Sequence, residues 1–68
     1  MTLVMFAGRP VRRFYRSVLG GQIRVEFYPT VGKPAETRLV SSVAWTSGAT
    51  EVDVPSKPRA LRKFGVQI

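Results

Sequence analysis

The sequence predicts an all-β fold: a small barrel or curved antiparallel sheet of five or six strands, with a short helical turn near the C-terminus. Three observations lead there. Gly and Pro interrupt the chain at short intervals, at Gly8 to Pro10, Gly20-Gly21, Pro29 to Pro34, Gly48, Pro55 to Pro58 and Gly65, and these residues supply the backbone angles of turns. Between them lie short runs rich in Val, Ile, Phe, Tyr and Thr, which favour strands. The run 56–65 follows helical spacing instead. With 68 residues the chain has room for one domain, 1–68, and one core. It contains neither Cys nor His, so disulfide and zinc reinforcement are excluded. Hydrophobic residues make up 44%, too many for simple disorder.

The first strand is expected over 2–7. Leu3 and Met5 point one way and Val4 and Phe6 the other, so this strand is either buried on both faces or paired with a second copy of the chain. A homo-oligomer is therefore one expectation. The apolar run is too short for a membrane span or a signal peptide, and the chain reads as soluble, unprocessed and cytoplasmic.

Strands 11–18 and 22–28 form the clearest hairpin, because Gly20-Gly21 offers the positive φ angles of a tight turn. That register pairs Val18 with Ile23, Arg16 with Val25, Phe14 with Phe27 and Arg12 with Pro29 on a core face. The opposite face pairs Ser17 with Arg24, Tyr15 with Glu26 and Arg13 with Tyr28, and so presents two tyrosines among arginines. A second hairpin is expected from 37–45 and 50–54, with Leu39, Val43, Trp45, Val52 and Val54 inward and Ser42, Ala44, Glu51 and Asp53 outward. A short closing strand would cover 66–68. In element order this arrangement resembles the small barrels of oligonucleotide-binding and Sm-like domains, folds that host many functions.

The tail reads as a helix. Ser56 or Lys57 precedes Pro58, which suits a first turn, and Gly65 suits a terminating left-handed position. At 100° per residue, Arg59, Arg62 and Lys63 share one side, while Ala60, Leu61 and Phe64 share the other. The result is a basic face with an apolar anchor.

Charge is unevenly placed. Eleven Lys and Arg against four Asp and Glu give a net charge of +7. Residues 1–24 hold Arg9, Arg12, Arg13, Arg16 and Arg24 with no acid, and residues 55–68 hold Lys57, Arg59, Arg62 and Lys63 with none. All four acids fall between them. Cations clustered at both ends of the chain suit an anionic partner better than solubility alone requires.

Catalysis finds little support. No His or Cys offers a nucleophile or near-neutral base, and Glu51 with Asp53 reads as a solvated face rather than a metal site. No glycine-rich phosphate loop is present. The expectation is no enzyme, no metal and no cofactor. Nucleic-acid binding fits better: Arg and Lys attract phosphates, and exposed bases stack on aromatic rings. The expected contact residues are Arg9, Arg12, Arg13, Tyr15, Arg16, Arg24, Tyr28, Arg59, Arg62 and Lys63, on DNA or RNA without strong sequence preference. The alternative is a non-enzymatic structural or regulatory module that binds an acidic protein partner, as an assembly subunit, virion component or inhibitor. An anionic membrane is the weakest partner, because no long amphipathic helix carries the charge.

Overall fold

A computed structural model describes residues 1–17 and 20–67. Five strands, β1 (Thr2–Phe6), β2 (Arg9–Arg16), β3 (Gln22–Phe27), β4 (Glu36–Ser41) and β5 (Thr50–Asp53), form one antiparallel sheet in the order β4-β3-β2-β1-β5. Two short helices, α1 (Ser42–Gly48) and α2 (Lys57–Lys63), complete the fold. The expected β architecture is therefore present, but the sheet is open. Its edges, β4 and β5, do not pair with each other, so the curved sheet fits and a closed barrel is not formed. No described helix is long and apolar enough to cross a membrane.

β1 and β2 join through a two-residue turn, with Ala7 at φ 52° and Gly8 at φ 74°. Both angles are positive, as a hairpin turn matched to strand twist requires. Gly8 adopts this without cost, whereas the Ala7 Cβ crowds the backbone.

The β2–β3 hairpin forms two residues out of the expected register. Arg16 pairs with Ile23, Tyr15 with Arg24, Phe14 with Val25 and Arg13 with Glu26. A slip of two residues preserves which side chains share a face. The connection is longer than a two-glycine turn: the Ser17 N–H donates to the Gln22 carbonyl at 3.1 Å. Val18, expected opposite Ile23, lies outside the described residues, and Ile23 has Arg16 as its partner. A bulge between Val11 and Arg13 makes Arg12 an additional residue in the strand. Arg12 is thus exposed rather than laid over the core.

The second expected hairpin does not exist. β4 stops at Ser41, whose Oγ accepts a hydrogen bond from the Ala44 N–H at 3.0 Å and caps α1. The helix crosses the sheet and returns the chain as β5 beside β1, with Leu3 opposite Val52 and Met5 opposite Thr50. Of the five residues expected inward, only Trp45 is buried, at 7% exposure. Val54 is half-buried, and Leu39, Val43 and Val52 are exposed. Trp45 reaches the sheet from a helix: its ring lies 5.3 Å from that of Phe6 and 4.7 Å from that of Phe14. Gly48 permits this approach, since a Cβ there would meet the Phe6 ring at 2.9 Å.

α2 agrees with its sequence signals. Ser56 caps it, Pro58 sits in the first turn, and Gly65 takes φ 88°. The Val66 N–H donates to the Leu61 carbonyl and the Gly65 N–H to that of Arg62, each at 3.0 Å. That pair of bonds is a Schellman motif, and Val66 packs against Leu61 as the motif favours. Val66 therefore ends a helix instead of starting a closing strand, and Ile68 lies outside the described residues. Phe64 is half exposed rather than an anchor.

The core has two parts, one on each side of the sheet. The inner side buries Val11, Ile23, Val25, Phe27 and Trp45, with Val4, Phe6 and Val40 against them. The outer side buries Leu3, Leu61 and Val66, with Met5, Tyr28 and Val54 against them. β1 is thus covered on both faces, with Leu3 buried and Val4, Met5 and Phe6 partly so.

Two stability changes follow. Trp45→Ala should cost about 3–5 kcal/mol, most of what a domain this size has, while Val43→Ser should stay within about 0.5 kcal/mol. Urea midpoints check this, and the reverse ranking would contradict α1. Ala7→Asn should raise stability by about 0.5–1 kcal/mol, because Asn tolerates the left-handed region better than Ala; thermal melts of the two proteins test it.

Candidate nucleic-acid interface

Strand alternation sorts the charges. Pairs opposite each other share a face, so Tyr15, Arg24 and Leu39 form a row across β2, β3 and β4, and Arg13, Glu26 and Thr37 form the next. This is the outer side, opposite the face that holds Val25, Ile23 and Val40. α2 covers only the β1 end of that outer side, through Leu61 and Val66 on Leu3. Arg59, Arg62 and Lys63 point away from this contact and are exposed. Arg13 and Arg24 from the first basic segment and Arg59, Arg62 and Lys63 from the last therefore lie on the same side of the sheet.

The acids lie mostly on the other side. Glu51 pairs with Val4, Asp53 with Thr2 and Glu36 with Phe27, all inner-side positions. Among the described residues Glu26 is the one carboxylate on the outer side, and Arg13 holds it at 3.1 Å. Arg12, Arg24, Arg59, Arg62 and Lys63 form no ion pair among the described residues. Arg12 lies over the Tyr28 ring, 5.9 Å from its centroid.

The ten expected contact residues divide accordingly. Arg13, Tyr15, Arg24, Arg59, Arg62 and Lys63 stand exposed on the outer side, with Arg12 beside them in the bulge. Arg16 belongs to the inner face by register, but at the strand end it lines a groove with Tyr15, Ser17, Gln22, Arg24 and Leu39. Tyr28 shares the outer side with Tyr15, yet it is half-buried against the α2 core. The two tyrosines do not form a joint platform.

Arg9 is different: only 8% exposed, it is part of the scaffold. Its guanidinium donates to Glu36 at 2.8 Å and to the Tyr28 and Pro34 carbonyls at 3.0 and 3.3 Å. Arg38 binds the other Glu36 oxygen at 2.9 Å. Both guanidinium groups lie over the Phe27 ring, 4.8 and 5.1 Å from its centroid. Arg9 Nε is buried without an acceptor among the described residues. The hydrogen bond from Arg38, together with the charges of Arg38 and Arg9, holds the Glu36 carboxyl below the ordinary value of 4.5, against an opposing effect of partial burial.

Leu39, Gln22 and Ser17 line the groove without having been expected there. A single strand over 37–45 places Leu39 on the same face as Trp45. Ser41-Ser42 as a helix cap was the signal that would have ended the strand earlier and released Leu39 to the outer side. No group of three or more acidic side chains arranged to hold a metal occurs among the described residues. Comparison with protein-family models, curated proteins and solved structures gives no match, so the functional reading rests on geometry alone.

Because Glu36 is more acidic folded than unfolded, its stabilisation is complete above about pH 4.5 and is lost as pH falls through the lower folded value. Glu36→Gln should be less stable than the parent at neutral pH and show a flatter decline on acidification. Urea midpoints measured from neutral to acid pH test this, and parallel curves for the two proteins would count against the Arg9–Glu36–Arg38 cluster as the source.

Proposed function

We propose that this chain is a small, sequence-tolerant nucleic-acid-binding module that meets the phosphate backbone with the outer side of its sheet and the exposed side of α2. The supporting observation is the partition of charge by side: among the described residues, six cations, Arg12, Arg13, Arg24, Arg59, Arg62 and Lys63, stand against the single carboxylate of Glu26. Side chains carrying like charge on one surface repel one another, and a polyanion relieves that repulsion. Five of these cations form no ion pair among the described residues. Arg13 leaves only an exposed pair, which contributes little to stability. Contacts to phosphate position a protein without reading sequence, hence the tolerance.

The reading of the chain as a protein-binding module has one observation in its favour, the unpaired edges of β4 and β5, which could add a strand from a partner. Salt dependence separates the two. Five phosphate contacts give log K against log salt a slope of about −4 to −5 on duplex DNA. Fluorescence anisotropy at several salt concentrations should yield that slope, and Arg62→Glu with Lys63→Glu should weaken binding alike on unrelated sequences. No binding at low salt, or binding indifferent to salt, rejects the proposal and leaves the strand edges as the better lead.

A further inference from the structure

The open groove on the outer side encloses about 370 Å³ and is lined by Tyr15, Arg16, Ser17, Gln22, Arg24 and Leu39, within the size range of small-ligand clefts. We infer that it receives one unstacked nucleotide of a single-stranded nucleic acid, its base on the Tyr15 ring and its neighbouring phosphates on Arg24 and Arg16. This rests on the nucleic-acid-binding reading and adds to it the preferred form of the ligand.

Arg24 stands directly between Tyr15 and Leu39 across three strands. Tyr15 is 45% and Leu39 59% exposed, on a part of the sheet that α2 leaves uncovered. Apolar surface on either side of a free cation suits a ligand that is flat and apolar in one part and anionic in the next. A nucleotide has that composition. Neither Arg16 nor Arg24 has a carboxylate partner among the described residues, and the nearby Glu26 is held by Arg13. An acidic peptide would satisfy the arginines but bring no planar base for the tyrosine ring.

Duplex DNA keeps its bases stacked inside, so it can reach the cations but cannot enter the groove without extruding a base. A single strand enters with its bases already free. The Ser17 hydroxyl and Gln22 amide lining the groove each offer a donor and an acceptor, so they can serve any base edge. This agrees with tolerance of sequence. Tyr28 takes no part, being half-buried against Leu3 and Leu61.

The test uses the full chain with fluorescein-labelled oligothymidine of about 20 nucleotides, longer than one site, and a duplex of equal length. At equal low salt the single strand should bind about tenfold more tightly, and Tyr15→Ala should weaken it by about tenfold while changing duplex binding less than about twofold. Tyr15→Phe, which keeps the ring, should retain parent affinity and so exclude misfolding as the cause. Preference for duplex, equal loss on both ligands, or unchanged single-strand binding in Tyr15→Ala would overturn the groove assignment and leave backbone binding standing. If the parent chain binds neither ligand at low salt, both readings fall.

Discussion

The structure depends on covering β1 from both sides. β1 lies between β2 and β5, and its side chains are apolar on each face: Leu3 on the outer side, 1% exposed, with Val4 and Phe6 on the inner. A chain of 68 residues buries a smaller share of its surface than a larger domain does, so neither half of its core can be wasted. Each half is completed by a helix that follows directly from an edge strand. α1 leaves β4 at the Ser41 cap, brings Trp45 onto the inner side and delivers β5 to β1. α2 leaves β5 and brings Leu61 onto Leu3. The location of Arg59, Arg62 and Lys63 is therefore a consequence of apolar packing, because the side of α2 opposite Leu61 has nowhere else to face.

The cations are divided between scaffold and surface by the same alternation. Arg9 and Arg38 face inward from β2 and β4, meet at Glu36, and lie over Phe27. Arg9 also holds the carbonyls of Tyr28 and Pro34, and so fixes the connection between β3 and β4 from both ends. Burying a guanidinium is costly unless it is paired and hydrogen-bonded; here a carboxylate and two carbonyls meet that demand, with only Nε left over. Among the described residues the outward-facing cations meet no such set of acceptors, and only Arg13 has a carboxylate partner, Glu26.

Much of this was legible in residue order. The strand-rich composition, the α2 cap, the Gly65 terminus and the sorting of Tyr15 and Arg24 away from Val25 all follow from local rules that tertiary packing did not override. Register was less legible, because a hairpin slipped by two residues keeps the same faces and its hydrophobic pattern is nearly as good. The bulge at Arg12 leaves no trace in hydrophobic alternation, yet it exchanges that residue's side. The least legible element was α1. Val43, Trp45 and Thr46 are poor helix formers and good strand formers, so propensity favoured continuing β4. The Ser41 cap and the burial of Trp45 against Phe6 and Phe14 decided otherwise. Arg9 was unreadable as a buried group, since nothing near it in sequence identifies Glu36, 27 residues away, as its partner.

Stability and the proposed function are linked through the same charges. Six cations on one side raise the electrostatic energy of the folded state relative to an expanded chain, in which they lie further apart. The two-part core that opposes this is small, and the net stability of such a domain is typically only a few kcal/mol. A ligand that binds the folded form alone adds stability in proportion to the logarithm of its saturation, and a polyanion would also remove the repulsion it neutralises. Inert salt removes that repulsion by screening, over a Debye length of about 8 Å at physiological strength, yet it weakens the competing phosphate contacts. Added salt should therefore stabilise the free domain and loosen its complex, two opposite responses with one origin in the outer-side cations. Cations paired within the fold, as Arg9 is with Glu36, would produce neither response at comparable strength.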